Sequence, residues 1–259
     1  MRSSRSAISR AAGSPESFGS VSVLIWPSWP ARSGIVQQGS GDMRDVFQFW
    51  GGLPGTTHQH PADKDILSRL KHQFDLNCLI TPYRGPLRTA PVILLFLSPG
   101  LEESDKNQAT ENTTQDYYVR MRTGNGQLSS NDEHPSAWKW DEKIIKQFGC
   151  NHEAARSKIA VLNICAYKSV KFTDWHMLAA LPSSRVCLNW AQSVLFPQAI
   201  AGGRVVVCLR SANYWGLPTG QRLGSGLYAP QTTRSGHMRH SEIRELAIEA
   251  VQKRVENSN

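Results

Sequence analysis

Three short, continuously apolar runs constrain the fold of this chain more than any other feature. They span residues 92–97, 159–164 and 205–209. Each has the length of a strand rather than a helix, and unbroken apolarity is typical of strands covered on both faces, as in a parallel sheet. Parallel strands cannot be joined by a tight turn, so a crossover, usually helical, must lie between them.

Stretches with helical spacing of apolar residues lie around these runs. In four segments the apolar residues are spaced three or four residues apart, as on one face of a helix. These segments are 62–74, 137–148, 184–200 and 242–255. The segment 107–133 is polar, and we expect a long loop there with a short helix around Tyr117 and Tyr118. Alternating strands and helices predict an α/β fold, a three-layer sandwich around a mainly parallel sheet of about four strands.

The charge balance favours a polyanionic partner. The 259 residues include 29 Lys and Arg against 21 Asp and Glu, a formal net charge of +8. Nucleic acid is the first candidate for such a chain, although many proteins are mildly basic without binding any. The segment 204–240 contains no acidic residue and mixes arginines with aromatic residues and glycines, which is typical of a DNA-facing surface.

The cysteines and the apolar content exclude several classes of protein. Five cysteines form no C-x-x-C pair, so neither a zinc knuckle nor an iron–sulfur cluster is predicted. We expect no cofactor and no metal, and reduced thiols in a cytoplasmic location. His237 and His240 could form a metal pair, but they lack an accompanying carboxylate or thiolate. No apolar run has the roughly 18 residues of a membrane helix, so we expect no membrane association.

The N-terminal 42 residues differ in composition from the rest. They are rich in Ser, Gly, Arg and Pro and show little periodicity, so we expect a flexible arm at 1–42 and a single domain at 43–259. Two other interpretations are a transit peptide and a start site placed ahead of the true one at Met43. We expect a monomer.

The residues that follow each strand are the most informative, because ligand sites in such sheets form at the carboxyl ends of the strands. The first strand leads into Ser98-Pro99-Gly100, the second ends near Asn163, and the third leads into Arg210-Ser211, with Thr232 to Met238 further along. This order of motifs, from about 82 to 238, resembles the uracil-DNA glycosylase superfamily. The resemblance implies that superfamily's fold and excision of a flipped-out base from DNA.

The resemblance also implies catalytic residues. Ser98 aligns with the Asp or Asn that positions the attacking water in relatives, and a neutral Ser cannot act as a carboxylate base. Glu102, Glu103 or Asp105 would then supply the charge. The catalytic His would be His237, although the motif HPSP usual at this place in the family is not present there. An HPS does occur at 134–136, where we interpret it as the start of a helix.

The residues assigned to the base follow from the same resemblance. Asn163 would read the edge of the base, since an amide both donates and accepts; the alternative is a core Asn bonded to neighbouring backbone. Tyr167 and Phe172 would stack on the base, although each could equally be core. Gly100 stands where the most familiar uracil enzymes have a Tyr that excludes bulky bases, which implies a more open pocket.

Contacts to DNA complete the expected site. We assign phosphate or backbone contacts to five residues: Lys168, Arg210, Ser211, Arg234 and Arg239. Met238 would fill the gap left by the flipped nucleotide.

The implied activity is that of a monofunctional glycosylase that leaves an abasic site. The favoured substrate is glucosylated hydroxymethylcytosine in phage DNA, which would make the role anti-phage defence. Uracil or mismatch excision in repair is the alternative. A nucleoside hydrolase and a non-catalytic nucleic-acid-binding protein remain as competing interpretations.

Overall fold

The computed structural model describes residues 45–256, and the predicted arm at 1–42 lies outside them. The described chain is an α/β structure built around one six-stranded sheet in the order β1-β3-β2-β4-β6-β5. The strands are β1 (Tyr83–Arg84), β2 (Val92–Phe96), β3 (Ile159–Asn163), β4 (Val205–Cys208), β5 (Gln221–Leu223) and β6 (Leu227–Ala229).

The sheet is mostly parallel, with antiparallel strands at its edges. β3, β2, β4 and β6 are parallel neighbours, while β1 pairs with β3 and β5 pairs with β6 in the antiparallel direction. The three predicted strands are confirmed as β2, β3 and β4, but the predicted total of about four is corrected to six. The additional strands have only two or three residues each, too few to show an apolar pattern in the sequence.

Eleven α-helices accompany the sheet within residues 45–256. They are α1 (Val46–Trp50), α2 (Lys64–Arg69), α3 (Ser104–Gln108), α4 (Asn112–Arg122), α5 (Pro135–Lys146), α6 (His152–Ala155), α7 (Trp175–Ala180), α8 (Pro182–Trp190), α9 (Phe196–Ile200), α10 (Ala212–Trp215) and α11 (Glu242–Glu256).

The predicted helices are largely confirmed, with corrections at two of them. The helix expected at 62–74 is a 3₁₀ turn followed by α2, which ends at Arg69, and the backbone of the next residue, Leu70, is extended. The helix expected at 184–200 contains a π-helical turn, Ala191–Leu195, between α8 and α9. Pro197 lies just beyond that turn and has no N–H to continue the regular bonding pattern.

The segment 107–133 is not a long loop. It holds the end of α3 and the eleven-residue α4. The first turn of α4 is entirely polar, so its apolar stripe reduces to a few buried side chains, including Tyr117, Tyr118 and Met121. A stripe that short is a weak periodic signal, which explains why the sequence predicts only a short helix here.

The core lies on both faces of the sheet. Ile93 and Leu95 of β2 face one cluster, which includes residues of α1, α8 and α9. Val92, Leu94 and Phe96 face a second cluster with α5 and α11. All five side chains are nearly fully buried, and each contributes about 1.5–3 kcal/mol by leaving water. The sheet is therefore a middle layer, and only its ends and edges are open to a ligand.

No helix within residues 45–256 combines the length and the apolarity that crossing a bilayer requires. The five cysteines form no disulfide, and all except the partly exposed Cys150 are buried.

Candidate active site

The parallel register brings the ends of the three central strands to one edge. Phe96 of β2 lies beside Asn163 of β3, and Leu95 lies beside Cys208 of β4. Ser98 and Arg210 each follow two residues after a strand end, so all three predicted strand-end positions converge there.

A pocket of about 570 Å³, including its open mouth, lies at this edge. Tyr118 of α4 and Trp140 of α5 form aromatic walls. The polar and charged groups that line the pocket include Thr81, Arg84, Ser98, Glu102, Asp105, His134, Ser136, Asn163 and Lys168.

Asn163 is held in one orientation by the backbone that precedes β1. Its side-chain nitrogen donates to the carbonyl of Thr81 at 3.0 Å, and its own N–H donates to the carbonyl of Pro82 at 2.8 Å. Only the NH₂ end of the amide can bond a carbonyl, so the orientation of the amide is determined. The side-chain oxygen and the second N–H form no bond to residues 45–256, and they remain available to a ligand in the pocket. Asn163 is thus both a buried Asn bonded to backbone and a pocket residue.

Lys168 and Asp105 form a buried ion pair in the pocket. Lys168 Nζ lies 2.5 Å from Asp105 Oδ1, and both side chains are about one-tenth exposed. Asp105 Oδ2 accepts the Glu102 N–H at 2.7 Å, so both oxygens of this carboxylate are engaged. Burial alone would lower the pKa of Lys168, but Tyr118 and Asp105 raise it above its ordinary value. The ammonium form is therefore retained at neutral pH.

His134 brings an imidazole into the pocket. It caps α5, where its Nδ1 accepts the Ala137 N–H at 3.3 Å, and Pro135 occupies the first turn. The interpretation of HPS as a helix start is confirmed. Burial lowers the pKa of His134, and the nearby Lys168 and Arg84 lower it further. The ring is therefore neutral near pH 7, with its proton on Nε2.

Arg84 contributes a second fixed cation. Its guanidinium lies 3.0 Å from Asp141 and stacks over the ring of Trp140, with 4.6 Å between the guanidinium carbon and the ring centre. Burial would lower the pKa of Arg84, and Asp141 raises it, so the group stays charged. A planar cation held between a carboxylate and an aromatic wall has little freedom to move.

A basic groove adjoins the pocket and shares the Ser98-Pro99-Gly100 turn with it. Lys171, Phe172, Arg210 and Arg234 line this groove, and none of its described lining residues is acidic. Burial and the neighbouring Arg234 lower the pKa of Arg210. Neither arginine forms an ion pair with residues 45–256. Two adjacent cations without a carboxylate are a favourable place for a phosphate.

Nine of the fourteen predicted site residues lie in these two depressions. Ser98, Gly100, Glu102, Asp105, Asn163 and Lys168 line the pocket, and Phe172, Arg210 and Arg234 line the groove. Lys168, predicted as a phosphate contact, instead points into the pocket and pairs with Asp105. Glu103, the third acidic alternative, does not line the pocket.

The structure does not bring the other five into the pocket or the groove. His237 lies in a hairpin closed by a bridge between Thr232 and Met238, and it does not line the pocket. Ser211, in a left-handed conformation with φ 58°, and Arg239 line a separate depression.

Met238 and Tyr167 are core residues. Met238 is buried in the cluster beneath α5 and α11, so it cannot fill a gap in DNA in this conformation. Tyr167 is 1% exposed, its hydroxyl donates to Asp63 at 2.6 Å, and it belongs to the same core cluster as Ile93 and Leu95 instead of lining the pocket. The roles predicted for Met238 and Tyr167 depend on their positions in a motif. Position in a motif does not determine whether a loop side chain points into the core or into the pocket.

The pocket residues missed by the sequence reasoning include two that bring charge or an imidazole, Arg84 and His134, and the two aromatic walls, Tyr118 and Trp140. Arg84 belongs to β1, a strand too short to predict, and Tyr118 lies in the segment expected to be mostly loop. The HPS motif was the signal for His134. It was assigned only to helix capping, because it precedes the middle strand instead of following the third.

No match was found when the chain was compared with protein-family models, with curated proteins and with solved structures. Within residues 45–256, no three His, Cys, Asp or Glu side chains are arranged to hold a metal ion.

Replacing Tyr167 with Phe should destabilise the protein without acting on the site directly. The hydroxyl bonds the buried Asp63 and accepts the His60 N–H at 3.2 Å, so its removal leaves both groups short of a partner. We expect a loss of about 1–3 kcal/mol in the free energy of unfolding, measured by urea denaturation. Tyr214→Phe, at a partly exposed tyrosine, should change it by less than about 0.5 kcal/mol. Unchanged stability with weakened DNA binding would instead indicate a substrate contact.

His134 should make folding stability depend on pH. Its pKa is lowered in the folded protein, so protonation favours the unfolded chain, and stability should fall as the pH drops below about 6.5, the ordinary value. Asn can cap the helix without titrating, so His134→Asn should reduce this fall. Urea denaturation of both proteins at about pH 7.5 and about pH 5.5 measures the difference. Identical losses in the two proteins would contradict the assignment.

Proposed function

We propose that this protein is a monofunctional DNA glycosylase, which hydrolyses the N-glycosidic bond of a flipped-out base and leaves an abasic site. The proposal rests first on Asn163. Its amide is locked by Thr81, and its free oxygen and N–H are available in a pocket with the aromatic walls Tyr118 and Trp140. An amide that donates and accepts between aromatic surfaces suits the hydrogen-bonding edge of a nucleobase.

The charges of the pocket suit the breaking of a glycosidic bond. The bond between C1′ and the base nitrogen breaks with its electron pair going to the base, and the sugar becomes an oxocarbenium-like cation. His134 would donate a hydrogen bond from Nε2 to the departing base, and the cations Lys168 and Arg84 would stabilise its negative charge. Preorganised charges of this kind need no reorganisation as the bond breaks.

A water completes the reaction at C1′. Its oxygen bonds to the carbon, it gives up a proton to a carboxylate, and the departing base takes up a proton from solvent. Glu102 lines the pocket, is exposed and has no ion pair with residues 45–256, so it is the better base. Asp105 has both oxygens engaged, so we assign it to holding Lys168 in place. Ser98 and the backbone of Gly100 would orient the water.

The state of Lys168 favours hydrolysis over strand cleavage. A Schiff base with an abasic sugar requires a neutral amine, and the raised pKa of Lys168 keeps it as an ammonium ion. We therefore assign Lys168 an electrostatic role and no lyase activity.

The groove supports DNA as the substrate over a free nucleoside. A nucleoside needs only the pocket, whereas Arg210 and Arg234 beside it, which form no ion pair with residues 45–256, suit the backbone of a longer polymer. Because the turn at 98–100 lines both depressions, a strand held in the groove could deliver its nucleotide directly into the pocket.

The favoured substrate is a cytosine with a bulky group, of which glucosylated hydroxymethylcytosine in phage DNA is our first choice. Gly100 supports this: a Cβ added there would meet no atom within 4 Å, so there is open space beside the turn. The role would then be anti-phage defence, with uracil or mismatch excision in repair as the alternative substrate.

One observation favours a second function, that of a non-catalytic nucleic-acid-binding protein. Ser98 is not a base, and Asp105 is neutralised by Lys168, so Glu102 is the only pocket carboxylate without an ion pair among the described residues. If Glu102 cannot reach the water, the pocket binds a base without cleaving it.

Excision should depend on Asn163. The purified protein would be incubated with uracil-containing, mismatched, hydroxymethylated and glucosylated DNA, and alkali-labile breaks would be counted. We expect breaks only after alkali treatment, and excision about 10- to 100-fold slower in Asn163→Ala, because one recognition contact is worth about 1–3 kcal/mol. Asn189→Ala, at an exposed Asn on α8, is the matched control.

The possible outcomes separate the candidates. Absence of breaks on every substrate, with DNA binding retained, would refute the glycosylase and support the binding protein. Breaks without alkali would contradict the monofunctional assignment. Equal rates for the parent and Asn163→Ala would remove Asn163 from the site.

Gly100→Tyr should separate the two substrate classes. The backbone of Gly100 is not left-handed and a Cβ there meets no atom within 4 Å, so we expect a Tyr to be accommodated and its ring to occupy part of the open space. We expect excision of glucosylated cytosine to be at least about tenfold slower, because the added ring would exclude the bulky base sterically. Excision of uracil, a smaller base, should change little. Gly100→Ala, which adds one carbon, should retain both activities. An equal loss on both substrates would contradict this explanation of the open turn.

A further inference from the structure

Val170 is by far the most exposed large apolar residue of the described chain. It is 85% exposed, whereas the next, Ile200, is 46% exposed. It does not lie at a frayed end, because Ser169 and Phe172 on either side of it are buried. A short anchored loop therefore presents a single apolar side chain to solvent.

Val170 lies at the rim of the candidate active site. Ser169 forms a parallel bridge with Gly100, and Lys168 lines the pocket. Val170 itself borders two depressions, the basic groove and a second groove that includes Leu101 and Lys106. It is therefore the tip of a ridge between two grooves, next to the opening through which a base would enter.

A nucleotide that leaves a duplex exposes the faces of its stacked neighbours to water. Proteins that distort DNA commonly insert an apolar side chain between base steps, and the apolar contact offsets part of the unstacking cost. The residue must be exposed, apolar, rigidly carried and beside the pocket. Met238, expected in this role from its motif, is buried, and its N–H bonds the side chain of Gln147.

Two exposed aromatic residues, Trp175 and Tyr214, fit this role less well than Val170. Trp175 and Tyr214 stack on each other, with 4.7 Å between ring centres, so each already covers one face of the other. Val170 is 85% exposed, so the other residues of the described chain cover little of its side chain. Its flanking Lys171 lines the same groove, where it can hold a phosphate while the valine enters the stack.

We infer that Val170 is the wedge that enters the duplex and fills the gap left by the flipped nucleotide. This inference rests on the proposed function, since it requires a nucleotide to leave the stack. It makes the loop after β3, and not the hairpin carrying Met238, the element that separates the flipped base from its neighbours.

The test is binding of the full-length protein to two DNA duplexes that differ at one position. One is intact, and the other carries a tetrahydrofuran residue, a stable abasic analogue with a gap in the stack. We expect the parent to prefer the gapped duplex. In Val170→Ala this preference should be about tenfold smaller, because two methyl groups no longer contact the bases beside the gap. Val170→Leu should retain it, and so should Val119→Ala, a matched change at a 37%-exposed valine on α4.

Binding requires no chemistry, so the two proposals can fail separately. A Val170→Ala protein with the full preference for the gapped duplex, or a parent with no preference, would overturn the wedge whatever the excision assay shows. A parent that excises no base, yet loses its gap preference on Val170→Ala, would support the wedge and overturn the glycosylase. Equal losses in Val170→Ala and Val119→Ala would also overturn the wedge.

Discussion

The parallel register of β3, β2 and β4 is the constraint on which the rest of the structure depends. The register pairs Phe96 with Asn163 and Leu95 with Cys208, so the three strands end at the same edge of the sheet. A shift of one residue would turn every side chain of a strand to the opposite face of the sheet, and both faces are closely packed. The turn at 98–100, Asn163 and Arg210 therefore meet at one edge because the core permits no other alignment.

The pocket at that edge contains charges that are expensive to bury. The pairs Lys168–Asp105 and Arg84–Asp141 are both largely removed from water, and such pairs seldom stabilise a fold more than apolar residues of the same size would. Under the proposed function they would have a second role. Charges that are already desolvated and held in place act strongly on a substrate charge that develops between them.

The pocket, the groove and the Val170 ridge form one continuous surface. The turn at 98–100 belongs to both the pocket and the groove, and the Ser169–Gly100 bridge attaches the ridge to the same turn. Base recognition, phosphate contact and strand separation would thus be carried by two adjoining loops, after β2 and after β3. Loops on a rigid sheet edge commonly carry function in this way.

The sequence by itself determined the three central strands, most of the helices and the edge of the sheet at which the pocket lies. It could do so because unbroken apolar runs and the residues that follow them are local signals. Ser98, Gly100 and Asn163 could be found in this way. Only the tertiary structure decided which loop side chains face the pocket. It brought in His134 and Arg84 from elements distant in the chain, and it buried Tyr167 and Met238, because the direction of a loop side chain depends on what packs against it and not on its place in a motif.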